Sequence, residues 1–202
     1  MHTIIYAHGF GGGNDFPFVQ KLEKDGNIVV QVILPGDPES GKPFSFLQSI
    51  KDILAEIKKE DEPVIGCGFS MGALFLLNIA REYPHLFSKL ILINPVVDAT
   101  YLQTDMMRAL FNATSMQLHD GTFYGHEIEH MVAERNPMTF REQLTVPTQI
   151  FQAQQDEFLD PSVTKQFYEQ LLGKKQYTEL DGTHNAWGSE EQIQKALSGP
   201  SL

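Results

Sequence analysis

The 202-residue chain has a single cysteine, Cys67, so an internal disulfide framework is excluded. Basic residues are also scarce: 15 Lys and Arg stand against 26 Asp and Glu, for a formal net charge of -11. A field of that sign repels polyanions, which argues against nucleic acid and anionic membrane surfaces and favours neutral or cationic small molecules. No apolar run approaches the ~18 residues of a membrane span. The opening MHTIIYAHGF lacks both a basic region and a long apolar stretch, and the cytoplasm is the expected location. No Gly/Ser linker, repeat or low-complexity tract divides the chain. What is present suits one domain with a sizeable core: 42% hydrophobic residues, including 14 Phe and 6 Tyr.

Short apolar, β-branched runs alternate with segments of helical period. Thr3 to Ala7, Ile28 to Ile33, Val64 to Cys67, Leu90 to Ile93 and Thr148 to Phe151 are strand candidates, with Gln176 to Leu180 a weaker sixth. Most are nearly continuous in apolar residues, as strands are when parallel and covered by helices on both faces. Helical spacing appears between them, in Phe46 to Ile57, Leu74 to Arg81 and Val163 to Leu171. The pattern predicts an α/β fold with a mostly parallel six-stranded sheet flanked by helices. One stretch, 98–142, has no clear strand and holds five of the seven methionines. It is expected to be a helical cap inserted after the fourth strand.

In such sheets function gathers where strands end at their carboxyl side. After the first strand comes His8-Gly9-Phe10-Gly11-Gly12-Gly13, whose backbone N–H groups can approach a ligand oxygen unhindered. The third strand runs through Gly68-Phe69-Ser70-Met71-Gly72 into a helix, a G-x-S-x-G in its strand, turn, helix context. Gln154-Gln155-Asp156-Glu157 follows the fifth strand and Asp181-Gly182-Thr183-His184-Asn185 the last. A serine hydroxyl is a weak nucleophile that needs a base within hydrogen-bond reach and an acid to orient that base, which Ser70, His184 and Asp156 would supply. Asp160 precedes Pro161 and reads as a helix N-cap instead. Asp98, directly after the fourth strand, is the rival acid.

With these four motifs in this order the chain resembles a small serine hydrolase of the α/β-hydrolase fold, over a span from His8 to His184. It departs from that pattern by beginning at the strand before the oxyanion loop, without the usual first two antiparallel strands. The resemblance implies that the backbone N–H groups of Phe10 and Met71 form an oxyanion hole. It also implies hydrolysis of small carboxylic esters, with thioesters close behind, through an acyl-enzyme on Ser70. Carbon–carbon bond hydrolysis on the same residues, or ligand binding without turnover, are the alternatives. Met106, Leu110, Phe111 and Tyr124 of the cap are expected to line an apolar substrate pocket.

One further motif competes for attention. His126-Glu127-Ile128-Glu129-His130 fits the H-E-x-x-H of zinc peptidases. Gly125 and Pro137 bound a helix of about three turns, and no convincing third ligand follows. The stretch is expected to be a cap helix with His126, Glu127 and His130 facing solvent or the rim. No metal or cofactor is expected, and sequence leaves the oligomeric state open.

Overall fold

Apolar runs such as Ile4 to Ala7 and Leu90 to Ile93 offer water no polar face, and in the computed structural model both lie inside strands buried on each side. The structure describes residues 3–10, 17–24, 26–113, 121–185 and 190–198. Six strands, β1 (Thr3–Ala7), β2 (Ile28–Gln31), β3 (Val64–Phe69), β4 (Phe87–Ile93), β5 (Thr148–Ala153) and β6 (Lys175–Leu180), form one sheet in the order β2-β1-β3-β4-β5-β6. Every pairing is parallel, so the sheet is wholly rather than mostly so. β6 lies at an edge and is largely solvent-facing, which is why its sequence pattern is weak.

The helices are α1 (Pro17–Lys24), α2 (Phe46–Ile57), α3 (Met71–Glu82), α4 (Asp105–Ala113), α5 (Gly121–Glu134), α6 (Pro137–Phe140), α7 (Pro161–Gln170) and α8 (Glu190–Ser198). Strand side chains alternate between faces. Ile5, Ala7, Leu90 and Leu92 pack with buried residues of α2, α3 and α7, whereas Ile4, Tyr6, Ile91 and Ile93 pack with those of α1 and α8. The chain leaves β1 for β2 on one side and then crosses to β3 on the other. The carboxyl ends of β1 and β3, paired at Ala7 and Gly68, therefore flank the point where strand order reverses, the usual seat of a ligand.

Between β4 and β5 the described elements are helical: a 3-10 turn at Ala99–Gln103, then α4, α5, α6 and a 3-10 turn at Arg141–Gln143. Two polar clamps fix this segment. Asn136 accepts from Ala99 N–H at 3.1 Å and donates to Asp98 at 2.9 Å, tying the end of the segment to its start. Glu127 on α5 accepts from the Ser45 hydroxyl and the Phe46 N–H at the N-terminus of α2, both at 2.6 Å. A carboxylate there meets unpaired N–H groups and the positive end of the helix dipole. This corrects the expectation that Glu127 faces solvent, because the side chain is buried on a helix terminus. The helix also begins at Gly121 and runs through Gly125, which costs only the modest penalty of a helical glycine.

The approach of α3 to β1 sets a sharp limit. A Cβ on Gly72 would sit 2.0 Å from the Ala7 carbonyl oxygen and 2.6 Å from that of His8, with only backbone to yield. Gly72→Ala is expected to lower the unfolding free energy by ~3 kcal/mol or more in a urea titration, at or above the upper end for overpacking. Gly26→Ala, with φ 84° and nothing within 4 Å, should cost only left-handed strain. A smaller loss at Gly72 than at Gly26 would contradict the packing argument.

Candidate active site

A single residue, Ser70, separates β3 from α3, and it takes φ 50° and ψ -113°. A non-glycine residue with positive φ is strained by about 1–3 kcal/mol, and its surroundings must hold it there. They do so at three points. Ser70 N–H donates to Ile93 at 2.9 Å, and its carbonyl accepts from Val96 at 3.0 Å and Ala73 at 3.2 Å. The glycines of G-x-S-x-G are what let the turn close: a Cβ on Gly68 would lie 2.7 Å from the Ala73 Cα, and Gly72 admits none.

His184 Nε2 lies 3.0 Å from Ser70 Oγ, and its Nδ1 lies 2.8 Å from Asp156 Oδ2. A carboxylate only accepts, so Nδ1 carries the proton and Nε2 is left to accept from the serine hydroxyl. The Asp156 side chain has no exposed surface. Burial pushes its carboxyl up, but the His184 hydrogen bond and charge and the N–H groups of Leu159 and Phe158 outweigh this and hold it below the usual carboxylate range. The Gln152 amide donates to Oδ2 as well, at 3.2 Å. Asp98, the rival acid, is instead engaged by Thr100 N–H and Asn136. Asp160 caps α7 through Ser162 N–H at 2.8 Å.

Residues that no motif announced fix the histidine loop. Asn94 is fully buried with φ 42°; its amide donates to the His184 carbonyl at 2.8 Å and accepts from Ala153 N–H at 2.7 Å. Glu157 accepts from His184 N–H at 2.9 Å. Phe69 and Phe158 flank the imidazole, with ring centroids at 5.1 and 5.2 Å. An Asn directly after a strand was the available signal for Asn94, since Asn tolerates positive φ and its amide can bridge a donor and an acceptor.

On the opposite side of Ser70, a Cβ on Gly9 would lie 3.1 Å from the Ser70 Cβ, so the β1 loop and the serine are in contact. Met71 opens α3, where first-turn N–H groups have no intrahelical partner. Phe10 packs edge-on against Phe44 at 5.6 Å; Gly11, Gly12 and Gly13 lie outside the described residues. His8 is buried beneath this loop, with Nδ1 2.7 Å from the Gly9 carbonyl and Nε2 2.9 Å from Asp37 Oδ2. Both neighbours are acceptors, so the site favours the protonated ring, which can donate from both nitrogens. Burial alone would lower its pKa, yet the Asp37 hydrogen bond and charge and the Gly9 carbonyl raise it above 6.5.

The H-E-x-x-H residues diverge. His126 is exposed and its Nδ1 is 3.9 Å from Glu129, His130 pairs with Glu134 at 3.5 Å, and Glu127 turns inward. Among the described residues no group of three or more His, Cys, Asp and Glu is arranged to hold a metal ion. Of the residues expected to line a pocket, Met106 is 41% exposed, and the side chains of Leu110, Phe111 and Tyr124 lie outside the described residues. Burial pushes the Cys67 thiol up to about 12, which leaves it inert inside β3.

The sequence model of the family described as Uncharacterised protein family (UPF0227) matches residues 3–198. The chain belongs to this family. Its fold is that of the α/β-hydrolases. Est1E from Butyrivibrio proteoclasticus, solved with ferulic acid, superposes with a TM-score of 0.76 at 19% identity, covering 98% of this chain and 86% of that one. A structure from a study of the metagenome-derived lipolytic enzymes LipS and LipT gives 0.74 at 16% identity, covering 96% and 90%. The thioesterase domain of the curacin biosynthetic pathway gives 0.70 at 16% identity, covering 98% and 91%. At these identities the likeness is one of fold. No curated protein matches the chain in sequence. No helix of the described residues is long and apolar enough to cross a membrane.

In this UPF0227 chain the His8–Asp37 pair carries a pH signature. Its folded pKa lies above that of the unfolded chain, so its stabilisation is complete below about 6.5 and fades as pH rises through the folded value. Asp37→Asn is expected to cost about 3 kcal/mol at pH 6, where a buried imidazolium loses its partner. Denaturant titrations should find a smaller deficit at pH 9, since the Asn carbonyl can still accept from Leu34 N–H and only the charge pairing is lost. Equal deficits at both pH values would contradict a charged His8.

Proposed function

We propose that the protein is a serine hydrolase that cleaves small neutral carboxylic esters. The observation that carries this reading is the unbroken relay from Ser70 Oγ through His184 to a buried Asp156. Ser70 Oγ attacks the ester carbonyl while its proton passes to His184 Nε2, and the imidazolium that forms is stabilised by Asp156. The resulting oxyanion is held by the backbone N–H groups of Phe10 and Met71, each such donor supplying roughly 3–4 kcal/mol of transition-state stabilisation. His184 returns the proton to the departing alcohol, leaving an acyl-enzyme on Ser70. Water then repeats the sequence and releases the acid.

The structural neighbours, which include a lipolytic enzyme, a monoacylglycerol lipase and a thioesterase domain, support acyl transfer as the reaction class. Thioesters remain within the proposal because they follow the same acyl-enzyme route. The net charge of -11 favours substrates without negative charge. Segment 98–142, clamped at Asn136 and Glu127, is proposed to be a cap beside the reacting carbonyl.

Ser70→Ala and His184→Ala are each expected to lower kcat for p-nitrophenyl butyrate by roughly 10⁴-fold or more, with thermal stability retained and no response to a chelator. Wild-type turnover in either variant, or loss of activity on chelation, would contradict the mechanism.

A further inference from the structure

The Asp156 carboxylate is saturated with donors. Its Oδ1 accepts from the N–H groups of Phe158 and Leu159, both at 2.9 Å, and its Oδ2 from His184 Nδ1 at 2.8 Å and the Gln152 amide at 3.2 Å. Two donors on each oxygen fill the roughly four lone-pair positions of a carboxylate. The pair on Oδ1 are backbone groups of the same loop. On Oδ2, the oxygen that faces the imidazole, Gln152 is the one side chain besides His184 among the described residues. It sits near the end of β5, 1% exposed, four residues before the carboxylate it reaches.

Gln152 leaves one of its own atoms unpaired to make this contact. Its Nε2 also donates to the Ala153 carbonyl at 3.2 Å, whereas its Oε1 is buried with no hydrogen-bond partner in the protein. A buried acceptor without a donor is costly, and an apolar group of the same shape in place of such an amide can be nearly neutral for stability. Turning the amide over is no remedy, because Oε1 would then face the Asp156 carboxylate and the Ala153 carbonyl, acceptor against acceptor. Packing alone therefore gives poor reason for a glutamine here. Its contact with Oδ2 gives a good one.

Resting on the serine-hydrolase reading above, we infer that Gln152 is a positioning residue, whose amide aims Asp156 Oδ2 at His184 Nδ1 and draws off part of the negative charge that this oxygen presents to the imidazole. A hydrogen bond to the charged carboxylate stabilises that charge, so less of it is left to hold an imidazolium. Losing the amide should make His184 more basic and Oδ2 less well aimed. Tyr101, whose phenol is pushed up to about 12 by burial and then by the Asp156 charge, and Glu157, which accepts from His184 N–H, also face the relay. Both remain when Gln152 is replaced.

Gln152→Met, close in length but without the donor, tests this, with Gln152→Leu as a second apolar replacement; whichever melts closer to wild type is assayed on p-nitrophenyl butyrate. The acid limb of kcat/KM, which reports the essential base of the free enzyme, should move up by roughly half a unit to one unit. On the plateau kcat should fall roughly three- to tenfold while KM changes by less than about twofold. An NMR titration of isotope-labelled histidine should show the same upward shift for the His184 ring without substrate. In an Asp156→Asn background, where the charge is gone, Gln152→Met should leave that titration unmoved.

An acid limb and a His184 titration identical to wild type would overturn the assignment, as would a shift that persists undiminished beside Asp156→Asn. So would a raised KM with kcat unchanged, which points to substrate contact, or collapse of the fold in both apolar variants, which marks the amide as a structural tie. Absence of Ser70-dependent ester hydrolysis in the wild type would instead overturn the parent reading, and the NMR titration would still decide what Gln152 does to His184.

Discussion

The strained turn at Ser70 is the constraint on which the rest of the molecule depends. Its φ of 50° is tolerable only because three backbone hydrogen bonds and two side-chain-free neighbours over-determine it. The partners in those bonds come from the end of β4, the loop after it and the first turn of α3, and the close contacts come from β1 and α3. Holding one serine thus requires the central strands to end together. Those same strand ends deliver Asn94 to the histidine loop and the Gly9 loop to the serine. Position and chemistry share one origin, the register of a parallel sheet.

Much of this was legible in the sequence, and the reasons are physical. Continuous apolar runs mark strands covered on both faces, and the glycines of Gly68-Phe69-Ser70-Met71-Gly72 record contacts that admit no Cβ. Asp156 could be preferred to Asp160 because the Asp-Pro pair is an N-cap signal, and Asp160 does cap α7. Glu127 was misjudged for a related reason. A charged residue within a polar helix stretch reads as solvated, and its partner, the N-terminus of α2, is 81 residues away in sequence. The Asn94 bridge was hidden in part similarly: an Asn after a strand suggests a positive φ, but it does not name a partner 90 residues away. Long-range polar contacts leave no periodicity.

Glu127 also links the helical segment after β4 to the loop after β1. It holds the Phe46 N–H, Phe46 packs on Phe44 at 4.8 Å, and Phe44 packs on Phe10 at 5.6 Å. Edge-to-face aromatic contacts of this kind are worth about 0.5–1.5 kcal/mol each beyond the area they bury. The loop that carries Phe10 is therefore braced twice, by this aromatic row and by the charged His8–Asp37 pair. In the proposed mechanism such bracing would serve the oxyanion, because donors that need not reorganise stabilise a developing charge most.

The central claim is that one hydroxyl, activated by one imidazole, is the nucleophile. Incubation with a fluorophosphonate followed by peptide mass spectrometry tests it most directly. The account predicts a single covalent adduct on the peptide containing Ser70, formed by the wild type and lost in the His184→Ala variant. An adduct on another residue, or equal labelling of Ser70 without His184, would contradict it.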